Sequence, residues 1–294
     1  MTEAALLASS LAALVSRSIM HPMDTIRLRL QLGPGANETK QLSVVQQFNA
    51  QTLNFRHISS LYSGYSVAVG FTIPGLAVFL TSYDLTKSAI SHYTPFKTDH
   101  TLNHCASGFV AQGLAGLVFN PMEVVKGYLQ TQKAAPLRHI VGSIFRNQGI
   151  TGFFRGYWLS VAVFGPHNVI YFATYEKIKA LLSRERESLA LQHFIFASST
   201  ATLLGATLTH PIDVVRARYQ IHSTSRSMNP TSLPHLTVQQ MMGQMWKQGG
   251  IKPFSGGLFC RVAYLVPSTA LSMTMFESFK PLFLRLLNSP SIPI

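Results

Sequence analysis

Charged side chains are scarce in this chain of 294 residues, where Asp, Glu, Lys and Arg make up only 12% of the total. Soluble domains carry about 25% of these residues, so the deficit argues for a membrane protein. Hydrophobic residues reach 47%, yet the mean hydropathy is only +0.21. We therefore expect membrane helices that are amphipathic and line a wet interior, rather than helices that are apolar on all sides.

Cysteines are few and catalytic motifs are missing. The spacing of the two cysteines, Cys105 and Cys260, fits neither a metal site nor a disulfide framework, so both are interpreted as small packing residues. The sequence contains no nucleophile–base constellation, no metal-ligand spacing and no Gly-rich phosphate loop. It therefore predicts a protein that is not an enzyme and has no cofactor.

Acidic residues are also few, 11 against 24 Lys and Arg, which gives a net charge of +13. A basic excess can indicate nucleic-acid binding. Here, however, basic residues such as Arg138, Arg146 and Arg155 fall at helix ends and in connecting segments, which suits anionic lipid headgroups better. The sequence therefore predicts a membrane-embedded protein with no nucleic-acid partner.

A four-residue pattern occurs three times, at intervals of about 90 to 100 residues. Each copy has a Pro, an acid two residues later, a base three residues after the acid and a Gln four residues after the base. The copies are Pro22, Asp24, Arg27 and Gln31; Pro121, Glu123, Lys126 and Gln130; and Pro211, Asp213, Arg216 and Gln220. A pattern repeated at a regular period indicates three copies of one structural unit.

Each copy lies at the end of an apolar run, at residues 4–31, 101–130 and 193–220, long enough to span a bilayer. A Pro inside such a helix kinks it, and an acid and a base three residues apart face the same side. Charges are costly in lipid unless they face inward and pair. Three such helices are therefore predicted to close a ring in which each acid meets the base of the next helix. A surface ion pair on a soluble helix would explain one copy but not three.

The second apolar run of each third carries its own pattern: a Pro, then an aromatic residue, an acid ten residues after the Pro, and a Lys three residues after the acid. The copies are Pro74, Tyr83, Asp84 and Lys87; Pro166, Tyr175, Glu176 and Lys179; and Pro267, Phe276, Glu277 and Lys280. These runs open at Tyr62-Ser63-Gly64, Phe154-Arg155-Gly156 and Phe254-Ser255-Gly256. The chain is therefore predicted to contain three units of helix, surface segment and helix, at residues 1–97, 98–188 and 189–294.

Together, the two patterns resemble those of the mitochondrial carrier family over nearly the whole chain. The resemblance implies an all-α membrane protein of the mitochondrial inner membrane, with six transmembrane helices in three pseudo-symmetric helix–surface helix–helix repeats. It also implies alternating-access transport of a small-molecule solute and binding of an anionic lipid, cardiolipin.

The same resemblance assigns roles to the repeated residues, with helix kinks at the six Pro residues of the two patterns. The implied matrix gate is Asp24, Arg27, Glu123, Lys126, Asp213 and Arg216, braced by Gln31, Gln130 and Gln220. The implied cytoplasmic gate is Asp84, Lys87, Glu176, Lys179, Glu277 and Lys280, braced by Tyr83 and Tyr175. Three features depart from the family pattern: Phe276 lacks the hydroxyl of a Tyr brace, Tyr128 replaces a second base, and Ser63 and Ser255 replace the base before Gly.

In the family, solute contacts lie one turn before the Pro of the second helix, which implies Phe71, Val163 with Phe164, and Tyr264. None of these residues is charged, so a solute with several phosphates is disfavoured. The wall they form is apolar or aromatic. It suits a solute with an apolar side chain.

One charged residue, Arg17, is predicted to face the cavity, five residues before Pro22, where the other repeats have Gly116 and Ala206. An Arg inside the membrane indicates a functional site by default, and the alternative is a packing Arg that is paired or reaches towards the interface. Arg17 beside apolar walls predicts a small carboxylate or an amino acid with an apolar side chain as the solute. Residues 207–211 and 150–152 also look like those of carriers linked to branched-chain amino acids.

Two alternatives remain open. Residues 261–270 resemble the sixth helix of mitochondrial iron carriers, and a mitoferrin-like metal carrier would use His167, Asn168, Met273 and Met275. Iron ranks second because Arg17 would repel a cation. The other alternative is a carrier-fold structural subunit of a larger inner-membrane respiratory complex, which is disfavoured because every acid and base of the second pattern is present.

Overall fold

The computed structural model describes residues 3–32, 59–94, 100–131, 136–185, 190–228, 234 and 236–288. These ranges contain six long helices: α1 (Glu3–Leu32), α2 (Tyr65–Tyr93), α3 (Thr101–Thr131), α5 (Tyr157–Glu185), α6 (Leu191–Met228) and α9 (Leu258–Asn288). Shorter elements are α4 (Leu137–Gln148), a 3-10 turn (Ile150–Phe154), α7 (Val238–Gly249) and α8 (Lys252–Ser255). The described ranges are helical and contain no strand, which confirms the predicted all-α class. The expected unit boundaries near residues 97 and 188 lie outside these ranges.

The six long helices form a closed ring. In order around it are α1, α2, α3, α5, α6 and α9, each packed against the next, and α9 packs back against α1. The first helices of the three units, α1, α3 and α6, also contact one another across the interior. The second helices are α2, α5 and α9. This arrangement is the predicted barrel of three helix pairs, and the charged pattern of the first helices lies where those helices meet.

Within the described ranges, three segments are long and apolar enough to cross a membrane by length and composition: Ser59–Tyr93, Thr101–Gln130 and Lys252–Leu284. The helices α1, α5 and α6 have similar lengths but carry more polar side chains, such as Arg17 and Asp24 in α1 or His167 and Asn168 in α5. Their composition fits the expectation of amphipathic helices around a wet interior.

Each long helix continues through the Pro that the sequence patterns assign to it. In every unit, the residue before the Pro of the first helix donates a hydrogen bond to a carbonyl just before the second helix. These bonds are His21 Nε2 to Ser63 O (3.1 Å), Asn120 Nδ2 to Arg155 O (3.4 Å) and His210 Nε2 to Gly256 O (3.2 Å). The Pro region of each first helix is thus tied to the start of its second helix.

A glycine with positive φ follows each of these carbonyls: Gly64 at 75°, Gly156 at 76° and Gly257 at 82°. This left-handed conformation favours glycine, which has no Cβ to clash. The sequence pattern had taken Phe254-Ser255-Gly256 as the opening of the last helix, and that register is wrong by one residue. Because α9 begins at Leu258, Gly257 is the counterpart of Gly64 and Gly156.

The surface helices α4 and α7 pack against the first helices of the second and third units. Each buries two side chains four residues apart, which lie on one helix face. These are Ile140 and Ile144 of α4, in a cluster with Val124 and Val125, and Met241 and Met245 of α7, in a cluster with Val214 and Val215. Full burial of such a side chain contributes roughly 1.5–3 kcal/mol, so these contacts hold α4 and α7 against the helices that carry the charged pattern.

Candidate functional site

The three acids of the first pattern each pair with a base on a different first helix. The pairs are Asp24 with Lys126 at 2.7 Å (α1 to α3), Glu123 with Arg216 (α3 to α6) and Asp213 with Arg27 (α6 to α1). We call these six side chains the ion-pair ring. Their exposed fractions run from 0% for Asp213 to 18% for Glu123. Removing one partner of a buried pair costs roughly 3–5 kcal/mol, because the other charge stays buried without compensation. The ring therefore ties α1, α3 and α6 together.

The spacing within each helix explains why the ring closes. An acid and a base three residues apart share one face of a helix, and here that face turns towards the other first helices. Arg27 Nη1 lies 3.6 Å from Asp24 Oδ1, and Arg216 Nη2 lies 3.4 Å from Asp213 Oδ1. In α1 and α6 the base thus contacts both the acid of its own helix and the acid of a neighbour.

The three Gln residues of the pattern take different partners. Gln31 Nε2 donates to Asp213 Oδ2 at 2.7 Å, and Gln130 Nε2 is 3.5 Å from Asp24 Oδ2. Gln220 Nε2 instead donates to Asn120 Oδ1 at 3.1 Å. The second unit has Asn120 where the other units have histidines, and its amide oxygen offers Gln220 an acceptor. In this conformation Gln220 therefore braces α6 against α3 through Asn120 and not through a ring carboxylate.

A fourth base, Arg261, reaches the ring from α9. Its Nη2 donates to Thr209 Oγ1 at 2.9 Å, its Nε lies 3.5 Å from Asp213 Oδ2, and its side chain is only 1% exposed. The two repeated patterns do not include Arg261 and so do not connect it with the ring. A sequence signal existed: the corresponding positions, six residues before the Pro of the other second helices, are Ala68 and Ser160.

The second pattern, on α2, α5 and α9, makes contacts of another kind. Glu176 and Lys179 pair within α5 at 3.8 Å, with side chains 26% and 42% exposed. Lys179 Nζ lies 6.0 Å from the Tyr175 ring centroid, and Lys280 Nζ lies 5.7 Å from that of Phe276. These contacts run within one helix, whereas those of the ion-pair ring run between helices. The other members of this set are Asp84, Lys87 and Glu277.

Tyr83, expected to brace the second set, lies in an aromatic contact between neighbouring helices. Its hydroxyl is 2.5 Å from Nδ1 of His104 on α3, and its ring stacks on Phe172 of α5 at 5.5 Å. Tyr175 stacks on Tyr171 one turn earlier in α5, at 5.8 Å. Both phenol rings are therefore held by aromatic neighbours in this conformation.

Two of the expected solute contacts lie directly over ring bases. The centroid of the Phe164 ring is 4.7 Å from Cζ of Arg216, and that of Tyr264 is 5.9 Å from Cζ of Arg27. Phe71 is 38% exposed. Val163, in contrast, is fully buried, so the expectation that it contacts a solute does not fit this conformation. Its side chain packs inside the protein.

Arg17 lies where α1, α2 and α3 approach one another. Its Nη1 donates to Ala68 O of α2 at 3.1 Å and is 3.4 Å from Met122 Sδ of α3. The side chain is half-buried. One guanidinium nitrogen is thus used in helix packing, while a guanidinium has five N–H donors in all.

Six long helices in a closed ring, with ion pairs joining the first helices and repeated charges on the second, define a membrane carrier built of three related units. The sequence profile of the family described as "Mitochondrial carrier protein" matches residues 2–94, 97–186 and 188–286. The chain belongs to this family.

Named relatives agree with this assignment over nearly their full lengths. An uncharacterized mitochondrial carrier of Schizosaccharomyces pombe is 27% identical over 94% of this chain and 96% of its own. Mitochondrial substrate carrier family protein E of Dictyostelium discoideum is 30% identical over 95% of each chain. Mitoferrin of Caenorhabditis briggsae is 30% identical over 94% of this chain and 90% of its own.

Proposed function

We propose that this carrier moves a small carboxylate, or an amino acid with an apolar side chain, across the mitochondrial inner membrane. It would do so as a multi-pass protein by alternating access, without catalysis and without a cofactor. The proposal names a solute class, whereas membership of the family establishes only a mitochondrial carrier.

The observation that carries the proposal is the charge balance around the ion-pair ring. Five bases in this region of the described helices outnumber three acids. The bases are Arg17, Arg27, Lys126, Arg216 and Arg261, and the acids are Asp24, Glu123 and Asp213. An excess of positive charge in a cavity with low-dielectric walls attracts anions and repels cations. A carboxylate suits this balance.

The groups beside these bases support an apolar solute body. Phe164 and Tyr264 cover two guanidinium groups of the ring. Arg17 retains N–H donors beyond the one that binds Ala68 O. Its planar fork suits a carboxylate held by two parallel hydrogen bonds, which a Lys would not reproduce. A solute fits both the bases and the aromatic residues if its carboxylate lies close to the bases and its hydrocarbon side chain packs against Phe164 and Tyr264.

The proposed cycle alternates between the two repeated patterns. The ion-pair ring is proposed as the matrix gate, closed here, with Gln31, Gln130 and Gln220 as its braces. The second pattern is proposed as the cytoplasmic gate, braced by Tyr83 and Tyr175. A solute shifts such an equilibrium only by binding one conformation more tightly than the other. An anion that competes for the ring bases would do so.

Anionic lipid is the second proposed partner, with cardiolipin as the candidate. The surface helix α4 exposes Arg138 and Arg146, and Lys247 and Lys252 are exposed at the end of α7 and the start of α8. Basic side chains at this level attract anionic headgroups, each by roughly 1 kcal/mol.

Iron transport is the second candidate function, because relatives named mitoferrin are 25% to 30% identical to this chain. Two of the four residues considered for a metal make close contacts with neighbouring helices. His167 packs closely against Gly205 of α6, and Asn168 donates to Gln112 Oε1 at 3.1 Å. The described residues contain no group of three His, Cys, Asp or Glu side chains placed to hold a metal ion. Because the bases near the ion-pair ring outnumber the acids, a carboxylate remains the preferred solute over an iron cation.

The test compares Arg17→Ala and Arg17→Lys with wild type in liposomes, using leucine, its 2-oxo acid and ferrous iron as solutes. We expect Arg17→Ala to abolish carboxylate uptake and Arg17→Lys to reduce it sharply, because a Lys cannot hold a carboxylate with two parallel hydrogen bonds. Lys177→Ala, at an exposed position of α5, is the matched control for loss of one positive charge. Thermal unfolding of each variant checks folding.

Three outcomes would change the proposal. Carboxylate uptake retained in Arg17→Ala, or a gain in iron uptake, would overturn the solute assignment and leave the carrier assignment standing. If wild type took up none of the three solutes but co-purified at fixed stoichiometry with a respiratory complex, the structural-subunit alternative would be favoured.

A further inference from the structure

A small recess lies in the wall between α3 and α5, beside the ion-pair ring. Its lining on α3 includes Gln112, Gly116, Asn120 and Glu123, and α5 contributes Ser160 and Phe164. The α3 residues recur at intervals of three to four, so they share one helix face. Glu123 belongs to the ring, and Phe164 lies over Arg216. The recess therefore extends from the ring along one face of α3.

The polar groups at the ring end of the recess are already satisfied by one another. Asn120 Oδ1 accepts hydrogen bonds from Ser160 Oγ at 3.0 Å and from Gln220 Nε2 at 3.1 Å. Asn120 Nδ2 donates to Phe153 O at 2.8 Å. This end is a bonded network that holds α3, α5 and α6 together, and it offers a ligand little hydrogen-bonding capacity.

At its other end the recess is lined by Gln112, and Asn168, which is outside the lining, bonds to Gln112. Asn168 Nδ2 of α5 donates to Gln112 Oε1 of α3 at 3.1 Å. Among the described residues, Gln112 Nε2 and Asn168 Oδ1 have no hydrogen-bond partner. The pair thus keeps at least one donor and one acceptor for a ligand. If the oxygen and nitrogen of both side-chain amides are exchanged, the pair still has one amide oxygen and one amide nitrogen free, because each amide has one oxygen and one nitrogen.

The amide pair is peculiar to the second repeat. Gln112 stands nine residues before Pro121, and Asn168 stands two residues after Pro166. The corresponding pairs are Ala13 with Leu76 in the first repeat and Thr202 with Thr269 in the third. The two Thr side chains bond each other at 3.2 Å, and Thr202 is 2% exposed. Gln112 differs from Thr202 in being only half-buried and in lining the recess.

We propose that Gln112 and Asn168 form a subsite for a second polar group of the solute, a carbonyl or an amino group that it carries besides its carboxylate. The inference rests on the proposed function, because it takes the solute to be a substituted carboxylate. The free amide N–H donates to a carbonyl, and the free amide oxygen accepts from an amino group. Neither amide attracts an unsubstituted hydrocarbon chain. The subsite therefore selects 2-oxo and 2-amino acids over plain carboxylates of the same size.

The experiment compares uptake of 4-methyl-2-oxopentanoate, leucine and unsubstituted 4-methylpentanoate by the purified protein in liposomes. The variant Gln112→Leu/Asn168→Leu removes both amides at once, so that neither is left without its partner. We expect it to lower uptake of the two substituted acids by about three- to tenfold, the effect of one ordinary hydrogen bond, while 4-methylpentanoate is unaffected. The exchange Gln112→Asn/Asn168→Gln keeps both amides and should restore most of the selectivity.

Thr202→Val is the matched control, since it removes a hydrogen bond between helices at the corresponding position of the third repeat. It should leave the ratio of substituted to unsubstituted uptake unchanged. If the double Leu variant lowers uptake of all three acids by the same factor, the pair is structural and the subsite is overturned. If wild type takes up none of the acids, the proposed function itself fails, and the subsite fails with it.

Discussion

Lys126→Glu should abolish transport, because it places two carboxylates where the ion-pair ring has an ion pair. Lys126 Nζ lies 2.7 Å from Asp24 Oδ2, and the two side chains are only 13% and 11% exposed. Unit charges about 4 Å apart interact by about 4 kcal/mol at an effective dielectric constant near 20. Replacing this attraction by repulsion destabilises the closed ring by at least that amount, which shifts the population of the closed conformation roughly a thousandfold.

The combination of Asp24→Lys with Lys126→Glu should restore transport in part. It re-forms an ion pair of opposite polarity between α1 and α3. Arg27 limits the recovery, because its Nη1 lies 3.6 Å from Asp24 Oδ1 and would then face a second positive charge on its own helix. We therefore expect uptake between that of the single variant and that of wild type.

Uptake into liposomes measures how the variants change transport, and thermal unfolding measures how much the ion-pair ring stabilises the protein. Lys179→Glu is the matched control for unfolding: its pair with Glu176 is at 3.8 Å, and the Lys side chain is 42% exposed. Exposed pairs contribute about 0–1 kcal/mol, so this reversal should lower the unfolding temperature much less than Lys126→Glu. Wild-type uptake by Lys126→Glu would refute the ring as a gate, and a double variant as inactive as the single one would refute the pairing.

Two further changes test other parts of the barrel. Phe276→Tyr should strengthen the proposed cytoplasmic gate and slow transport. The added hydroxyl can form a hydrogen bond with a charged group, which contributes roughly 1.5–3 kcal/mol. Unchanged turnover and unchanged labelling from the cytoplasmic side would contradict a bracing role for this position. Gly205→Ala should destabilise the protein by about 1–3 kcal/mol, as overpacking does, because the added Cβ would lie 2.7 Å from His167 Nδ1. Gly70→Ala, where nothing lies within 4 Å, is its control, and equal unfolding temperatures for the two Ala variants would contradict the close α5–α6 contact.

Repetition made the fold and the ring predictable from sequence. Three copies of Pro, acid and base at identical offsets place the charges on equivalent faces of three helices. In a ring of these helices, each acid, such as Asp24, can pair with a base of another helix, such as Lys126. The second pattern added three more helices, which completed the barrel of six. These inferences needed no knowledge of side-chain packing, because the offsets alone determine the faces.

Three features could not be read from the repeated offsets. Arg261 has no counterpart in the other repeats, so its approach to Asp213 could not be derived from the pattern. Val163 and Tyr264 each stand three residues before the Pro of their helix, yet the side chain of Val163 is fully buried. Equal spacing in the sequence does not ensure equal packing. In the third repeat, the adjacent Gly256 and Gly257 left the register ambiguous, and only the positive φ of Gly257 resolved it.

The same asymmetry gives the ion-pair ring a weak side. The described contacts of Asp213 are with three guanidinium groups, of Arg27, Arg216 and Arg261, and with the amide of Gln31. Those of Glu123 are with Arg216 alone, because Gln220 is taken by Asn120. The carboxylate of Glu123 is therefore held by fewer described groups than that of Asp213.

The recess between α3 and α5 reaches Glu123, which is part of its lining. A solute carboxylate that reaches this end of the recess would lie beside Arg216, the base that Glu123 binds. There it competes with one acid that has a single partner, instead of with Asp213, which has four. A ligand shifts the equilibrium between the closed and the open ring only by binding the two conformations with different affinity. The ion pair that such a ligand breaks with the smallest difference in affinity is the one between Glu123 and Arg216. We therefore expect the ring to open first between α3 and α6.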